Sequence, residues 1–394
     1  MRATTITILS LTMLLAACEE EPGKLGIAEK NGDGSGDNTN EDTDGDGIPD
    51  GTDPAVTEDP VLSARVVDYN EALRTASLKL IRRLPTLDQI RKVERAADKR
   101  AAYVEELDAM LDSPAFASRT VKFWRDTMRI GGTDLDTAPT LAAKLMIEGG
   151  DFSDIFTLSG GNCPTFDAET GAFAAGDCQS GAPAEAGVLT DPSVMRQFYG
   201  NMAFRRVRWV QEVFFCSKFP SELTDTPTQL EGKDYTSPWA FESIAADPIN
   251  FQDLSSVVCA NCHTTMNHIA PLFANFDADG NWQNNISVMT PLAPDPVTTE
   301  LSHWLQAGEA TAWRHGEEVA DLPALGAVLA EDPAFSECMV ARVWNWAMSK
   351  EDIITDLATV PYSVLEPHVL DFDAERDLKK TLRTIMISDD FVSF

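Results

Sequence analysis

Basic residues are scarce in this chain of 394 residues. Lys and Arg number 31 against 63 Asp and Glu, which leaves a net charge of −32. A nucleic-acid-binding surface needs clustered Lys and Arg to neutralise phosphates, so this function is excluded. Long apolar runs are also lacking. A helix needs about 20 apolar residues to span a bilayer, and no segment of the sequence has a run of that length. What the chain does have is 43% hydrophobic residues, including eight Trp and 19 Phe, enough to fill a folded core.

The first 17 residues are typical of a bacterial lipoprotein signal. Arg2 is followed by an apolar run over residues 6–17, which ends in Leu-Ala-Ala before Cys18. We expect cleavage before Cys18 and lipidation of its thiol, which would anchor the mature chain to a membrane through acyl chains. Acidic residues follow at once, and we expect an outer-membrane lipoprotein at the periplasmic face or the cell surface. The alternative is an ordinary cleaved signal peptide with a chance cysteine.

Residues 18–60 form an acidic tether that we expect to be disordered. They hold 14 Asp and Glu but only two Lys, and they contain little apolar surface to bury. Within them, residues 42–53 have the oxygen-ligand spacing of an EF-hand loop, and they resemble the type 3 calcium repeat of thrombospondins. The predicted Ca²⁺ ligands are Asp42, Asp44, Asp46, the Ile48 carbonyl, Asp50 and Asp53. The alternative is a solvated acidic linker.

The remainder of the chain is predicted to be mostly α, a helical array with an embedded haem segment. Apolar residues recur at helical spacing, and Ser113-Pro114 is typical of a helix start. Strand alternation is scarce. The predicted modules are a helical one over 61–160, a loop insertion over 161–187, a helical module over 188–255, the haem segment over 256–300 and a C-terminal helical module over 301–394.

Five of the seven cysteines can be assigned to lipidation or disulfides, which leaves one pair without such a role. Lipidation uses one of the seven cysteines and leaves six. Cys163 and Cys178 lie 15 apart in the Gly-rich insertion and can form a disulfide in an oxidising compartment. Cys216 and Cys338 then form the natural second pair. Cys259 and Cys262 remain.

These two cysteines belong to the sequence Cys259-Ala-Asn-Cys262-His263, the attachment motif of c-type haem. Two thiols three residues apart can bond the two vinyl groups of one porphyrin, and His263 would supply the proximal iron ligand. Three alternatives compete. They are a thioredoxin-like redox pair, which needs a βαβ setting, a zinc site, which needs a fourth ligand, and a strained third disulfide.

Residues 259–282 resemble the haem segment of large planctomycete and myxobacterial proteins of unknown function that carry a planctomycete-type cytochrome c domain. That segment reads approximately CxxCHxxxDPxGxxLExFDxxGxxR, and the spacing agrees without a gap. Asn267-His268 replaces the usual Asp-Pro, and Ala270 replaces Gly. Weaker similarities occur in the same order over residues 80–85, 111–124, 187–216 and 332–391. The resemblance implies a helical fold and a bound haem, but no reaction.

The sixth iron ligand is less specified than His263. Met289 lies in an extended, Pro-punctuated loop that could cross the opposite haem face, and His303 is the alternative. Met266 and His268 follow His263 too closely along one helix to reach that face. Aromatic residues nearby, Phe273, Phe276 and Trp282, are interpreted as packing.

The predicted function is electron transfer by a lipid-anchored, single-haem c-type cytochrome. Its acidic surface would favour a basic redox partner. One alternative is a haem enzyme of peroxidase or oxygenase type with an open sixth position, for which His303 and His315 are the candidate distal groups. Another is a non-catalytic surface module with structural haem.

Overall fold

Helices dominate the part of the chain that the structure describes. The computed structural model describes residues 64–132, 135–218, 229–230, 233–234, 257–289, 295–314 and 317–394. The predicted signal, Cys18, the tether and the calcium loop lie outside the described residues. Among those described, no helix is long and apolar enough to cross a membrane.

The prediction of a mostly α fold is confirmed, with fourteen α-helices in the described ranges. They are α1 Tyr69–Ile81, α2 Leu87–Arg95, α3 Lys99–Leu111, α4 Pro114–Met128, α5 Thr137–Glu148, α6 Asp154–Thr157, α7 Pro192–Gln197, α8 Phe204–Phe214, α9 Val257–Phe273, α10 Leu322–Glu331, α11 Pro333–Ala347, α12 Tyr362–Glu375, α13 Leu378–Met386 and α14 Asp389–Val392. Short 3₁₀ turns occur at Gly187–Thr190, Asn201–Ala203 and Leu301–His303.

Short polar side chains determine where many of these helices begin. Thr86 and Gln89 form a reciprocal capping box at the start of α2. At α4 the Ser113 hydroxyl accepts a hydrogen bond from the Phe116 N–H, and Pro114 occupies the first helical position. The same role is played by a series of aspartates, namely Asp68, Asp98, Asp191, Asp321, Asp332 and Asp377.

Strands are confined to three two-stranded antiparallel hairpins in the described ranges. The first, β1 Thr165–Asp167 with β2 Ala172–Ala174, lies inside the Gly-rich insertion and pairs Phe166 with Phe173. The second joins β3 Gln229–Leu230 to β4 Lys233–Asp234. The third joins β5 Ser287–Val288 to β6 Val297–Thr298, and its first strand leads directly to Met289.

Two details differ from the helical expectation. Val66 lies in the predicted helical module over 61–160, but it is 67% exposed and its backbone pairs with that of Phe394 in both directions. Within the predicted helical module over 188–255, residues 198–203 separate α7 from α8. Asn201, Met202 and Ala203 have φ of 48°, 54° and 64° there, and three consecutive left-handed residues cannot continue a right-handed helix.

The core is rich in aromatic rings that join helices distant in sequence. The Phe123 ring stacks on Trp346 with centroids 4.5 Å apart, and Trp124 stacks on Phe152 at 5.3 Å. Phe335 contacts the Phe156 ring at 5.2 Å. These contacts connect α4, α6 and α11 into one core within the unit formed by residues 60–394.

A buried arginine, Arg342, stabilises the end of α8. The Arg342 guanidinium donates hydrogen bonds to the Glu212 and Val213 carbonyls, each at 2.8 Å. It also lies 3.3 Å from the Asp352 carboxylate, whose second oxygen has no hydrogen-bond partner among the described residues. Burial raises the pKa of Asp352 to about 7, despite the opposing charge of Arg342.

We therefore expect Asp352 to make the unfolding free energy pH-dependent. A carboxyl group in the unfolded chain ionises near pH 4, whereas Asp352 in the folded chain retains its proton up to about pH 7. The unfolded state then binds fewer protons, so stability falls as the pH rises from about 4 to about 7. Urea unfolding of the wild type and Asp352→Asn over this range should show a shallower fall in the variant. Parallel curves would contradict the assignment.

Candidate functional site

Helix α9 carries the three residues of the haem attachment motif. Cys259 is its third residue, Cys262 its sixth and His263 its seventh. All three residues of the motif therefore lie on one helix. The helix packs against α8, the preceding helix among the described residues. This pairing places His263 against the start of α8.

The His263 imidazole is largely buried between two side chains. Its Nδ1 lies 3.2 Å from the Asn267 Oδ1, one turn further along α9. The Phe204 ring meets the imidazole edge-on, with centroids 4.8 Å apart. Burial lowers the pKa of His263, although the Asn267 hydrogen bond opposes this effect. The residue is therefore a neutral, oriented imidazole, the form in which histidine binds a metal.

A strained turn supports the Phe204 side of the site. Met202 and Ala203 have left-handed backbone conformations immediately before Phe204. The Met202 N–H donates to the Met289 carbonyl at 2.9 Å, and its carbonyl accepts from the Trp304 indole at 3.2 Å. Because left-handed non-glycine residues are costly, these two hydrogen bonds stabilise a conformation that the chain would otherwise avoid. The turn thus connects Met289 to Phe204, the residue whose ring contacts His263.

The far end of α9 is held by a buried arginine. Arg206 on α8 is 1% exposed, and its guanidinium donates to the Phe273 carbonyl at 2.6 Å and the Phe276 carbonyl at 3.2 Å. It also donates to the Met195 carbonyl at 2.6 Å and the Asp277 carbonyl at 3.4 Å. A cation at the carboxyl end of a helix interacts favourably with the unpaired carbonyls there. Arg206 therefore fixes α9 relative to α7 and α8.

The turn after α9 explains two positions of the haem-segment pattern. The Asp277 Oδ1 accepts hydrogen bonds from the Asp279 and Asn281 N–H groups, both at 2.9 Å. Gly280 has φ of +83°, and a side chain there would come within 2.3 Å of the Pro192 carbonyl oxygen. Glycine is thus required both by the backbone conformation and by the close approach of α7.

The remaining histidines have other contacts. The His268 Nε2 lies 3.7 Å from a Glu309 carboxylate oxygen. The His303 Nδ1 accepts from the Glu300 N–H at 3.1 Å and contacts the Thr299 hydroxyl. His368 is half-buried against the Trp344 ring, whereas His315 lies outside the described residues.

The aromatic residues that follow α9 belong to the core. Phe273 and Phe276 are fully buried, and the Trp282 ring meets Phe276 edge-on at 5.2 Å. Their interpretation as packing residues is consistent with these contacts.

Both predicted disulfides are present. Cys163 is bonded to Cys178 in the insertion, and Cys216 is bonded to Cys338, which joins the end of α8 to α11. The second bridge lies just beyond the helix that carries Phe204 and Arg206. Pairing by elimination was therefore correct for the four structural cysteines.

Three contributors to the site were not recognised from the sequence. Asn267 was noted only as a departure from the family pattern, although it is the hydrogen-bond partner of His263. Its spacing of four residues on one helix was the available signal, since such residues are neighbours. Phe204 and Arg206 carried no local signal, because their roles depend on how α8 packs on α9.

One protein-family model matches the part of the chain that contains this candidate site. A family model described as PSCyt3, a protein of unknown function (DUF1588), matches residues 185–286. It is a planctomycete cytochrome-like domain, and the match includes α7, α8, α9 and the turn that follows. No curated protein and no solved structure matches the chain.

Proposed function

We propose that this protein is a single-haem c-type cytochrome that transfers electrons. Cys259 and Cys262 would bind haem covalently, and His263 would ligate the iron. The observation that carries the proposal is the complete CxxCH motif near the start of α9, within the segment that matches a cytochrome-like domain. When bound, haem c supplies reversible one-electron chemistry at iron.

The residues around His263 fit this role. The ring is neutral and buried, and its Nδ1 is the nitrogen that contacts Asn267. The Nε2 is then the nitrogen that we assign to the iron. Asn267 orients the ring as a hydrogen-bond partner, but its amide oxygen is a weaker acceptor for the Nδ1 proton than a carboxylate would be. We infer a less basic imidazole here than in relatives with aspartate at this position.

Met289 is the proposed sixth ligand. Its backbone is bonded to Met202, two residues from Phe204, which contacts the His263 ring. His303 is the weaker candidate, because its Nδ1 accepts a backbone hydrogen bond that already defines its role in a 3₁₀ turn. A methionine ligand would raise the reduction potential relative to histidine.

We further propose that the chain works as a lipoprotein anchored through Cys18, at the periplasmic face of the outer membrane or at the cell surface. Residues 42–53 would bind Ca²⁺ and stiffen the tether. Residues 61–394 carry 49 acidic and 28 basic residues, and this excess favours a basic redox partner.

Haem content tests the central proposal. The full chain, produced together with a cytochrome c maturation system, should give a pyridine haemochrome spectrum with one covalent haem per chain. Cys259→Ala/Cys262→Ala should lose all covalent haem, because both thioether bonds are removed. His268→Ala alters the same helix outside the motif and should retain it. A colourless wild type, or unchanged haem in the double variant, would refute the proposal.

Carbon monoxide tests the sixth ligand. Carbon monoxide binds ferrous haem only where the sixth position is open or readily displaced, so the reduced wild type should react slowly. Met289→Ala should bind it rapidly, whereas His303→Ala should behave as the wild type. Rapid binding by the wild type would contradict ligation by Met289 and would favour the haem-enzyme alternative.

A further inference from the structure

The disulfide of the insertion lies against a buried carboxyl group. The Cys163 Sγ is 3.7 Å from the Asp191 Oδ2, and both sulfurs and this carboxyl group lie within 4.8 Å of one another. Asp191 is fully buried at the start of α7. This arrangement is separate from the His263 site.

The two oxygens of Asp191 have different partners. Its Oδ1 accepts hydrogen bonds from the Ser193 N–H at 2.7 Å and the Thr137 hydroxyl at 2.8 Å, which accounts for its role at the start of α7. Its Oδ2 faces the Cys163 sulfur. A disulfide sulfur carries no proton, so a hydrogen bond along this contact requires the proton to be on the carboxyl group. Burial favours that form, since it raises the pKa of Asp191.

The two sulfurs differ in their surroundings. Cys178 is half-buried between the exposed residues Asp177 and Gln179, so a small thiol can approach it. Cys163 is half-buried as well, but it lies between the buried residues Asn162 and Pro164, and its N–H donates a hydrogen bond to the Gly176 carbonyl at 2.8 Å. Attack is therefore easier at Cys178, and Cys163 becomes the leaving sulfur.

We propose that Cys163–Cys178 is a thiol–disulfide exchange site in which Asp191 protonates the leaving sulfur of Cys163. The co-reactant is a dithiol. Its first thiolate attacks the Cys178 sulfur, the S–S bond breaks, and the Cys163 sulfur leaves with the electron pair and takes the Asp191 proton. The second thiol of the reductant loses its proton to water and, as a thiolate, attacks the reductant's own sulfur in the mixed disulfide, while Asp191 regains a proton from solvent. The Cys178 thiolate leaves and takes a proton from water, the dithiol is oxidised to a disulfide, and the protein holds two thiols.

Acidic groups in the insertion make proton supply more important. Asp177, next to Cys178, accepts a hydrogen bond from the Gly161 N–H at 2.9 Å, and burial, together with the charge of Asp177, raises the pKa of Glu185. Negative charge beside the bridge disfavours a second anion, so a leaving thiolate is stabilised by immediate protonation.

The second disulfide provides an internal control. Cys338 is 3% exposed, and its Sγ lies 3.7 Å from a backbone carbonyl, that of Val213. A carbonyl has no proton to donate. The Cys216–Cys338 bridge is therefore expected to react slowly and to be insensitive to Asp191.

The experiment uses the full chain with dithiothreitol as the dithiol and follows each bridge by alkylation and mass spectrometry. Asp191→Asn keeps the oxygen that caps α7 but cannot donate an acidic proton, and it should slow reduction of Cys163–Cys178 about tenfold or more. Reduction of Cys216–Cys338 should not change. Asp177→Asn is the matched control: it removes a negative charge next to Cys178 but retains the proton donor, so it should not slow reduction. An unchanged or faster rate in a folded Asp191→Asn protein would overturn the proposal.

A measurement on the wild type keeps the proposal testable even if the variant is unstable. A monothiol such as glutathione should trap the mixed disulfide on Cys178 and leave Cys163 as the alkylated thiol. An adduct on Cys163 would show that the leaving group is not the sulfur beside Asp191, and would also overturn the proposal.

Discussion

Removal of the Cys216–Cys338 bridge by Cys216→Ala/Cys338→Ala should lower the free energy of unfolding by about 4–5 kcal/mol. The bridge closes a loop between residues 122 apart, and a cross-link of this length strongly restricts the unfolded chain. The Cys163–Cys178 bridge spans only 15 residues, so its removal should cost about 3 kcal/mol. Guanidinium chloride unfolding of the two double variants measures both values.

The position of the long bridge adds a local effect. Cys216 has φ of 51° just after α8, and Cys338 lies in the buried face of α11. Arg342 binds the last carbonyls of α8 from the same helix. Without the bridge, Arg342 would still connect the end of α8 to α11. An equal loss in both double variants would show that loop length does not control the effect.

The starts of many helices could be predicted because local chemistry determines them. Ser113-Pro114 and Asp332-Pro333 combine a capping side chain with a proline at the first helical position, and α4 and α11 begin there. These signals act over three or four residues and do not depend on tertiary packing.

The break between α7 and α8 could not be predicted in the same way. Asn201, Met202 and Ala203 are not all residue types that favour a left-handed backbone, and their conformation is stabilised by Met289 and Trp304, which are distant in sequence. The pairing of Val66 with Phe394 likewise depends on the two ends of the body meeting.

In the candidate site too, some residues have a local sequence signal, whereas others are placed only by tertiary packing. His263 could be proposed as an iron ligand from the sequence because covalent haem attachment requires a fixed spacing of residues. Phe204 contacts it only because α8 and α9 pack together, so no short motif could reveal this contact. A short motif was therefore enough to propose His263, whereas the contacts of most residues around it depend on the tertiary fold.

Arg206→Met should lower the free energy of unfolding by about 3 kcal/mol or more. Methionine retains much of the aliphatic length but donates no hydrogen bond, so the buried carbonyls of Met195, Phe273, Phe276 and Asp277 would lose a charged partner. Each buried group left unpaired costs about 1–3 kcal/mol, and relaxation of the turn after α9 would recover part of this cost.

Arg205→Met is the matched control on the same helix. Arg205 is exposed, and its guanidinium donates to the Tyr199 carbonyl at 3.3 Å, so its substitution should change stability by no more than about 0.5 kcal/mol. Urea unfolding of the two variants compares a buried arginine with an exposed neighbour at nearly the same place in the chain. If both variants unfolded at the wild-type midpoint, Arg206 would not be holding the end of α9. Neighbouring residues on a helix point in directions about 100° apart, so Arg205 faces solvent while Arg206 faces the core. Because α9 also carries His263, a loss of stability in Arg206→Met but not in Arg205→Met would show that the candidate haem helix depends on the buried arginine.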